Sequence, residues 1–323
     1  MALQVAEESI PRYSDRFSPK KFTQHQRFAC LVLKEFLRTD YRGVARMLAE
    51  CGDLCLAIDL ERLPHFSTLQ QAATRLLQGT LRTARQQKQL TKRIEFAAFD
   101  ASGFETHHTS RYFVRRRDKP KNAGKRRSPT SCRRFPKMAV LTDCQSHLVL
   151  AMHFERGPGP DITHLRQLLS KPLEPLSITT LAADAGYDAE WVHELLRQQY
   201  GVKTLIPAQI GRRPANGPTG RYRRWMFFHL HHTRYGQRWQ VETVFSMIKR
   251  RLGDTLRAQT FWSQRRAAVI KVLAHNILIL WHIELLDRAT CPQRWATTAE
   301  VSRGSMYRGC MIGRLQSFQL ALR

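Results

Sequence analysis

The 323-residue chain reads as an α/β (α+β) protein: a mixed sheet flanked by helices, with a small helical N-terminal domain. Three observations predict this. Apolar residues recur at helical spacing from Thr23 to Leu77. Short apolar runs in hairpin order follow from Ile94, and helix-type and strand-type segments then alternate. Finally, Tyr235, Arg238, Glu242 and Lys249 are spaced to share one stripe of a helix.

Residues 1–20 mix charge, Ser and Pro and are expected to be a loose arm. Residues 21–92 are expected to hold the helical domain and a linker. Phe28, Leu31, Val32, Leu33, Phe36 and Leu37 form a first apolar stripe. Val44, Met47 and Leu48 form a second, and Leu69, Ala73 and Leu76 a third, with Ser67-Thr68 as its N-cap signal. Three short helices parted by polar turns suit either a helix-turn-helix DNA reader or a plain helical cap. Residues 78–92 read as a basic linker.

The α/β domain is expected over residues 93–287. Ile94–Phe99 is an apolar run ending at Asp100, and Ser110–Val114 could be its hairpin partner. Met138–Leu141 and His147–Phe154 are two further strands. Gly157-Pro158-Gly159-Pro160 halts the chain before a helix from Asp161 to about Ser170. Thr179–Ala183 is a strand ending at Asp184, Asp188–Gln199 a helix with Asp188 as N-cap, and Val202–Ile206 a strand. A helix from Tyr235 and a second from about Ser263 to Leu286 complete the pattern, and residues 288–323 are a tail without one.

Lys and Arg number 53 against 26 Asp and Glu, a formal net charge of +27. Such an excess suits a polyanion, because phosphates bind through release of condensed counterions. The N-terminus lacks the layout of a secretory signal. The longest apolar stretch, Ala267–Leu286, is interrupted by Lys271, His275, Asn276, His282 and Glu284, and reads as a buried helix rather than a membrane span. The seven cysteines are scattered and odd in number, as expected of reduced thiols in a cytoplasmic protein.

Asp100 and Asp184 each end an apolar strand, in Phe96-Ala97-Ala98-Phe99-Asp100-Ala101-Ser102-Gly103 and Leu181-Ala182-Ala183-Asp184-Ala185-Gly186-Tyr187-Asp188. A carboxylate so placed needs a cation or hydrogen bonds; either could still be an ordinary turn residue. With about 3.6 residues per turn, Tyr235, Arg238, Glu242 and Lys249 fall within an arc of about 60°. One acid thus lies among two cations and a hydroxyl, a grouping suited to a metal site beside phosphates. The alternative for Arg238 and Glu242 is a plain i,i+4 salt bridge. Trp239 and Phe245 fall off this face and are expected in the core.

These motifs resemble those of insertion-sequence DDE transposases. The last constellation is similar to the Tyr-Arg-Glu-Lys motif of the branch containing the fourth and fifth insertion-sequence families. The likeness covers about residues 94–285. It implies a ribonuclease-H-like catalytic domain in which Asp100, Asp184 and Glu242 are the acidic triad. It also implies Mg²⁺ or Mn²⁺, a pair of ions held by oxygen ligands. Arg238, Lys249 and Tyr235 would hold terminal phosphates. The implied reaction is cleavage at transposon ends by water, then attack of the freed 3′-hydroxyl on target DNA. Terminal inverted repeats and target DNA are the implied partners, handled by a homodimer, without a membrane. The 58 residues from Asp184 to Glu242 leave no room for a large β-rich insertion.

Between Arg115 and Lys137 lie eleven Lys or Arg and one acid. Arg115, Arg116, Arg117, Lys125, Arg126 and Arg127 there, and Arg223 and Arg224 ahead of the Tyr235 helix, are candidate DNA contacts or solvated loop residues. The pairs His107-His108 and His231-His232 point their side chains different ways in regular structure and are read as polar loop or phosphate-contacting residues. A stand-alone nuclease of the same fold and a DNA-binding derivative without catalysis are the rival readings.

Overall fold

The computed structural model describes residues 1–77, 93–106, 135–157, 160, 162–163, 165, 177–209 and 217–290. Met1–Ile279 form one compact unit, and a second begins at Leu280. The expected hairpin partner Ser110–Val114, the basic residues 115–127, His107-His108, most of the helix expected from Asp161 and the tail from 291 fall outside the described residues.

Five helices come first: α1 (Ala2–Ser9), α2 (Gln24–Phe36), α3 (Tyr41–Glu50), α4 (Gly52–Ala57) and α5 (Phe66–Leu76). The segment expected as a loose arm therefore carries a helix, because Val5 and Ala6 are buried against the neighbouring stripe. Thr23 and Gln26 form a reciprocal capping box at α2, and the Asp40 carboxylate accepts from Gly43 N–H at α3. Each such cap stabilises its helix by about 1 kcal/mol. Gly43 leaves room there for the Thr39 side chain: a Cβ would stand 1.9 Å from Thr39 Oγ1, which would have to turn away. α5 begins earlier than the Ser67-Thr68 signal predicts, since His65 is its N-cap and its Nδ1 accepts from Ser67 N–H.

The sheet is built from β1 (Ile94–Gly103), β3 (Phe135–Asp143), β4 (Val149–Gly157), β5 (Ile178–Ala183) and β6 (Lys203–Leu205), in the order β4-β3-β1-β5-β6. A short β2 (Glu105–Thr106) continues beyond β1. β1 runs antiparallel to β3 and parallel to β5, so the sheet is mixed. Between β5 and β6 lies α6 (Glu190–Glu194), continued by a wider π turn over Leu195–Gln199. There follow α7 (Arg221–His229), α8 (Gln240–Leu252), β7 (Thr255–Leu256), which pairs with β2, and α9 (Phe261–Thr290).

Alternation along β1 divides its side chains between two cores. Ala97 and Phe99 join Leu141, Leu181, Tyr187, Val192 and Leu196 on one face. Phe96 and Ala98 join Val140, Ala182, Val241, Val244 and Ile248 on the other, the face that α8 covers. The same period of two carries Asp100 and Ser102 to the α8 side. A third core unites Phe28, Leu31, Val44 and Leu69 of the N-terminal helices with Leu252, Val269, Ile270 and Leu273.

By length and composition alone, Phe261–Leu286 could cross a membrane. Its polar groups show why it belongs to a protein core. Lys271 pairs with Glu35 at 3.3 Å, and the Asn276 amide both donates to and accepts from the Val149 backbone at 2.9 Å. Lys271 also donates to Leu252 O at the end of α8, and Arg38 donates to the carbonyls of Arg250 and Arg251. The last turn of α8 is thereby capped by cations, as its dipole favours.

Candidate active site

Phe99 on β1 is in register with Ala183 on the parallel neighbour β5. The next residues, Asp100 and Asp184, consequently stand side by side where two strands about 4.8 Å apart finish their pairing. Each carboxylate accepts its own following amide: Asp100 Oδ1 from Ala101 N–H at 2.7 Å, and Asp184 Oδ1 from Ala185 N–H at 2.8 Å. Asp184 also caps a 3₁₀ turn over Ala185–Tyr187. Asp184 is exposed just past the end of β5, whereas β1 continues through Asp100 to Gly103 in its pairing with β3 and leaves the Asp100 side chain 21% exposed.

The third acid arrives on α8. Tyr235–Trp239 form a 3₁₀ turn, and the α-helix proper starts only at Gln240. Val241, Val244, Phe245 and Ile248 press α8 onto the sheet, which leaves Glu242 in the first turn facing out. Arg238 stands between the acids: Nη1 is 3.7 Å from Asp100 Oδ2 and Nη2 is 2.7 Å from Glu242 Oε1. Tyr235 Oη donates to Ala183 O at 3.3 Å. Lys249 Nζ donates to Ser102 Oγ at 2.7 Å and lies 5.3 Å over the Phe104 ring.

Burial raises the Asp100 pKa, the Ala101 amide and Arg238 oppose this, and Asp184 and Glu242 raise it further. Asp184 and Glu242 thus both act on the Asp100 carboxyl. Burial works against the Arg238 charge, yet Tyr235, Glu242, Asp100 and Asp184 outweigh it and hold its pKa above the ordinary value. With Glu242 54% exposed, the Arg238–Glu242 pair by itself contributes only about 0.2–0.5 kcal/mol.

The donor set, carboxylate oxygens only, has the chemistry that suits a hard divalent cation. Side-chain placement is not that of a closed ligand cage, for among the described residues no three His, Cys, Asp or Glu gather closely enough to hold an ion. Arg238 occupies the space between two of the acids.

Other residues singled out in the sequence lie elsewhere. Arg223 forks onto Asp188, Nε to Oδ1 at 2.9 Å and Nη2 to Oδ2 at 2.7 Å. Those are the nitrogens a phosphate would take, so this guanidinium is a structural clamp instead of an open DNA contact. Asp188, expected as an N-cap, is wholly buried in that clamp and also accepts from Gln209 N–H; Ala189 is the N-cap of α6. Glu190 accepts from the amides of Tyr222 and Arg223 and so caps α7. Arg224 is exposed on α7. Trp239, expected in the core, is 65% exposed, because the 3₁₀ turn rotates it away from α8's buried stripe. The rings of His231 and His232 do not diverge; in their 3₁₀ turn the centroids are 4.0 Å apart. Arg115, Arg116, Arg117, Lys125, Arg126 and Arg127 lie outside the described residues.

Sequence reasoning gave no role to Tyr187. Its side chain is fully buried, its ring meets Phe99 edge-on at 4.7 Å, and its hydroxyl has no hydrogen-bond partner. Burial and the charges of Asp100 and Asp184 push its pKa up. The signal available was an aromatic three residues after a strand-end Asp, on the side of the alternation that packs inward.

Residues 91–277 match the family model described as "Transposase DDE domain". No curated protein matches the chain. Among solved structures it is similar, at 11% identity and a TM-score of 0.22, to a chain of the "Crystal structure of a pre-cleavage Mos1 transpososome"; the alignment covers 84% of this chain and 82% of that one. A TM-score of that size supports no statement about shared geometry.

Proposed function

Because the chain belongs to the transposase DDE domain family, we propose that it is a DNA transposase that cuts at transposon ends and joins them to target DNA. What supports this reading is that Asp100 and Asp184 follow residues paired in register on neighbouring strands, and that Arg238 lies 3.7 Å from Asp100 and 2.7 Å from Glu242. Asp100, Asp184 and Glu242 would hold Mg²⁺ or Mn²⁺, as a pair of ions. When bound, such ions lower the pKa of an attacking water and neutralise charge on a leaving oxygen.

This chain's own residues have separate tasks. The Arg238 guanidinium is a fork for two phosphate oxygens, and the Lys249 ammonium is a point charge farther along α8. Tyr235, whose hydroxyl meets the Ala183 carbonyl, holds the turn preceding α8 against the end of β5 and offers a further phosphate bond. The exposed Arg224 and Trp239 provide a charge and a stacking face for DNA. The basic residues Arg115, Arg116, Arg117, Lys125, Arg126 and Arg127 are assigned to sequence-independent phosphate binding.

The strand order and the mixed pairing support a ribonuclease-H-like domain over residues 93–287. The helical region 21–92 would serve either as a helix-turn-helix DNA reader or as a helical cap on the catalytic domain. A homodimer pairing the element's two inverted repeats, in the cytoplasm at the nucleoid, completes the proposal.

The deciding experiment incubates the protein with the inverted repeats that flank its coding region, plus Mg²⁺ or Mn²⁺, and follows cleavage and strand transfer. Wild type should yield both products, and Glu242→Gln should lose both by about 100-fold or more while still binding the ends. Cleavage without joining would identify a nuclease instead. Binding with no cleavage by wild type would leave a DNA-binding derivative.

A further inference from the structure

We infer that Arg238 is a latch: it holds the carboxylates of Asp100 and Glu242 to itself and releases them to a divalent cation when a DNA phosphate takes its guanidinium. This deepens the transposase reading and rests on it. The ion pairs at 3.7 Å to Asp100 and 2.7 Å to Glu242 engage two of the three acids through two different nitrogens of one side chain. That side chain is only 19% exposed, so it is held in the site instead of sweeping through solvent.

A guanidinium stays charged at any pH a protein survives. Release of the acids therefore requires an exchange of partner and cannot come from loss of the Arg238 proton. The Nη nitrogens facing Asp100 and Glu242 belong to the same planar fork that grips a phosphate. Both engagements cannot be satisfied at once with good geometry, so binding of phosphate and pairing of the carboxylates compete.

The neighbouring groups of the same motif differ in kind. Lys249 gives up a neutral hydroxyl, that of Ser102, when it turns to a phosphate. Tyr235 gives up a neutral carbonyl, that of Ala183. Neither exchange breaks an ion pair to Asp100 or Glu242. Within the four-residue motif, Arg238 is the cation paired with both acids, so arrival of DNA there frees two carboxylates, with Asp184 beside Asp100. The weakness of the exposed Glu242 arm makes the exchange easy; the partly buried Asp100 arm makes it selective for a doubly coordinated phosphate oxygen pair over a passing anion.

The consequence is positive coupling between DNA and metal, reciprocal by linkage. Mn²⁺ binding to the full-length protein, followed by the loss of free-ion electron paramagnetic resonance signal, reads it directly. A 20-base-pair duplex of arbitrary sequence is the phosphate probe, since the contact is with backbone. For wild type the duplex should tighten Mn²⁺ binding about tenfold, within the usual span of coupling between sites. Arg238→Gln should bind Mn²⁺ about tenfold more tightly than wild type without DNA, and the duplex should change this by less than about twofold. The double variant Asp100→Asn/Glu242→Gln measures ion uptake by the duplex and by other carboxylates.

Equal Mn²⁺ affinity of wild type and Arg238→Gln, with binding lost in the double variant, would overturn the latch and leave the acidic triad standing. Undiminished Mn²⁺ binding in the double variant would overturn the triad itself, and the latch with it. The Mn²⁺-dependent rise in melting temperature gives a second measurement on the same proteins. Should Arg238→Gln fail to fold, Arg238→Lys serves: a single ammonium cannot bridge both acids, so its Mn²⁺ affinity without DNA should still exceed that of wild type.

Discussion

The guanidinium of Arg223 on α7 closes a bidentate clamp on the wholly buried carboxylate of Asp188, four residues beyond Asp184. The clamp fixes the chain leaving the active-site turn to the helix preceding α8. Removing one partner strands a buried charge, which costs about 3–5 kcal/mol. Asp188→Ala and Arg223→Ala are each expected to lower the unfolding free energy in urea by about 3 kcal/mol or more. A change in DNA affinity with unaltered stability would show that Arg223 contacts DNA instead.

Glu35 and Lys271 form a second buried pair, with side chains 6% and 5% exposed. Burial lowers the Lys271 pKa, and Glu35 opposes that shift. Glu35→Ala should destabilise by about 3 kcal/mol, whereas Glu35→Leu with Lys271→Met should cost less than either single change. Denaturant titration of the single and double variants measures the difference. If the double variant is the weakest, the pair is net stabilising.

Stability should fall in mild acid. Burial depresses both His193 and His275, each to about 4 from the usual 6.5. The unfolded chain therefore takes up protons first, and the stabilisation present above about pH 6.5 declines as pH falls toward about 4. Each histidine contributes on the order of 2–3 kcal/mol over that window. Melting temperatures between pH 7 and 4.5 should drop for wild type, and less for His193→Phe.

Tyr187 carries a hydroxyl without a partner in a full core position. Tyr187→Phe should hold stability constant or raise it by about 1 kcal/mol, since an unsatisfied buried hydroxyl is removed. Tyr187→Ala should cost about 3–5 kcal/mol through the cavity it leaves. Thermal unfolding distinguishes these; a loss of more than 1 kcal/mol in the Phe variant would mean that the hydroxyl is bonded.

Lys249→Ala should weaken binding of a duplex and reduce the slope of log affinity against log salt by about one, the signature of one lost phosphate contact. Ser102→Ala releases the ammonium from its 2.7 Å bond and should leave that slope unchanged. Anisotropy titrations at several salt concentrations measure both.

Local pattern, read from the sequence alone, placed the strands that carry Asp100 and lead into Asp184 and the helix that carries Glu242 and Lys249, although β1 runs on to Gly103 and the helix expected from Tyr235 begins at Gln240. Period-two burial and the helical repeat write those features into neighbouring residues, so no partner is needed to see them. The same reading mistook Trp239 for a core residue, because a 3₁₀ lead-in breaks the phase that a continuous helix would keep. It read Asp188 as a cap and Arg223 as a DNA contact or a solvated loop residue, since a charge that pairs across 35 residues is indistinguishable in sequence from one that meets solvent. Which cation sits among which acids was settled only when β1, β5 and α8 came together: ion pairing depends on distances of a few ångströms between side chains far apart in the chain, and those distances are set by packing.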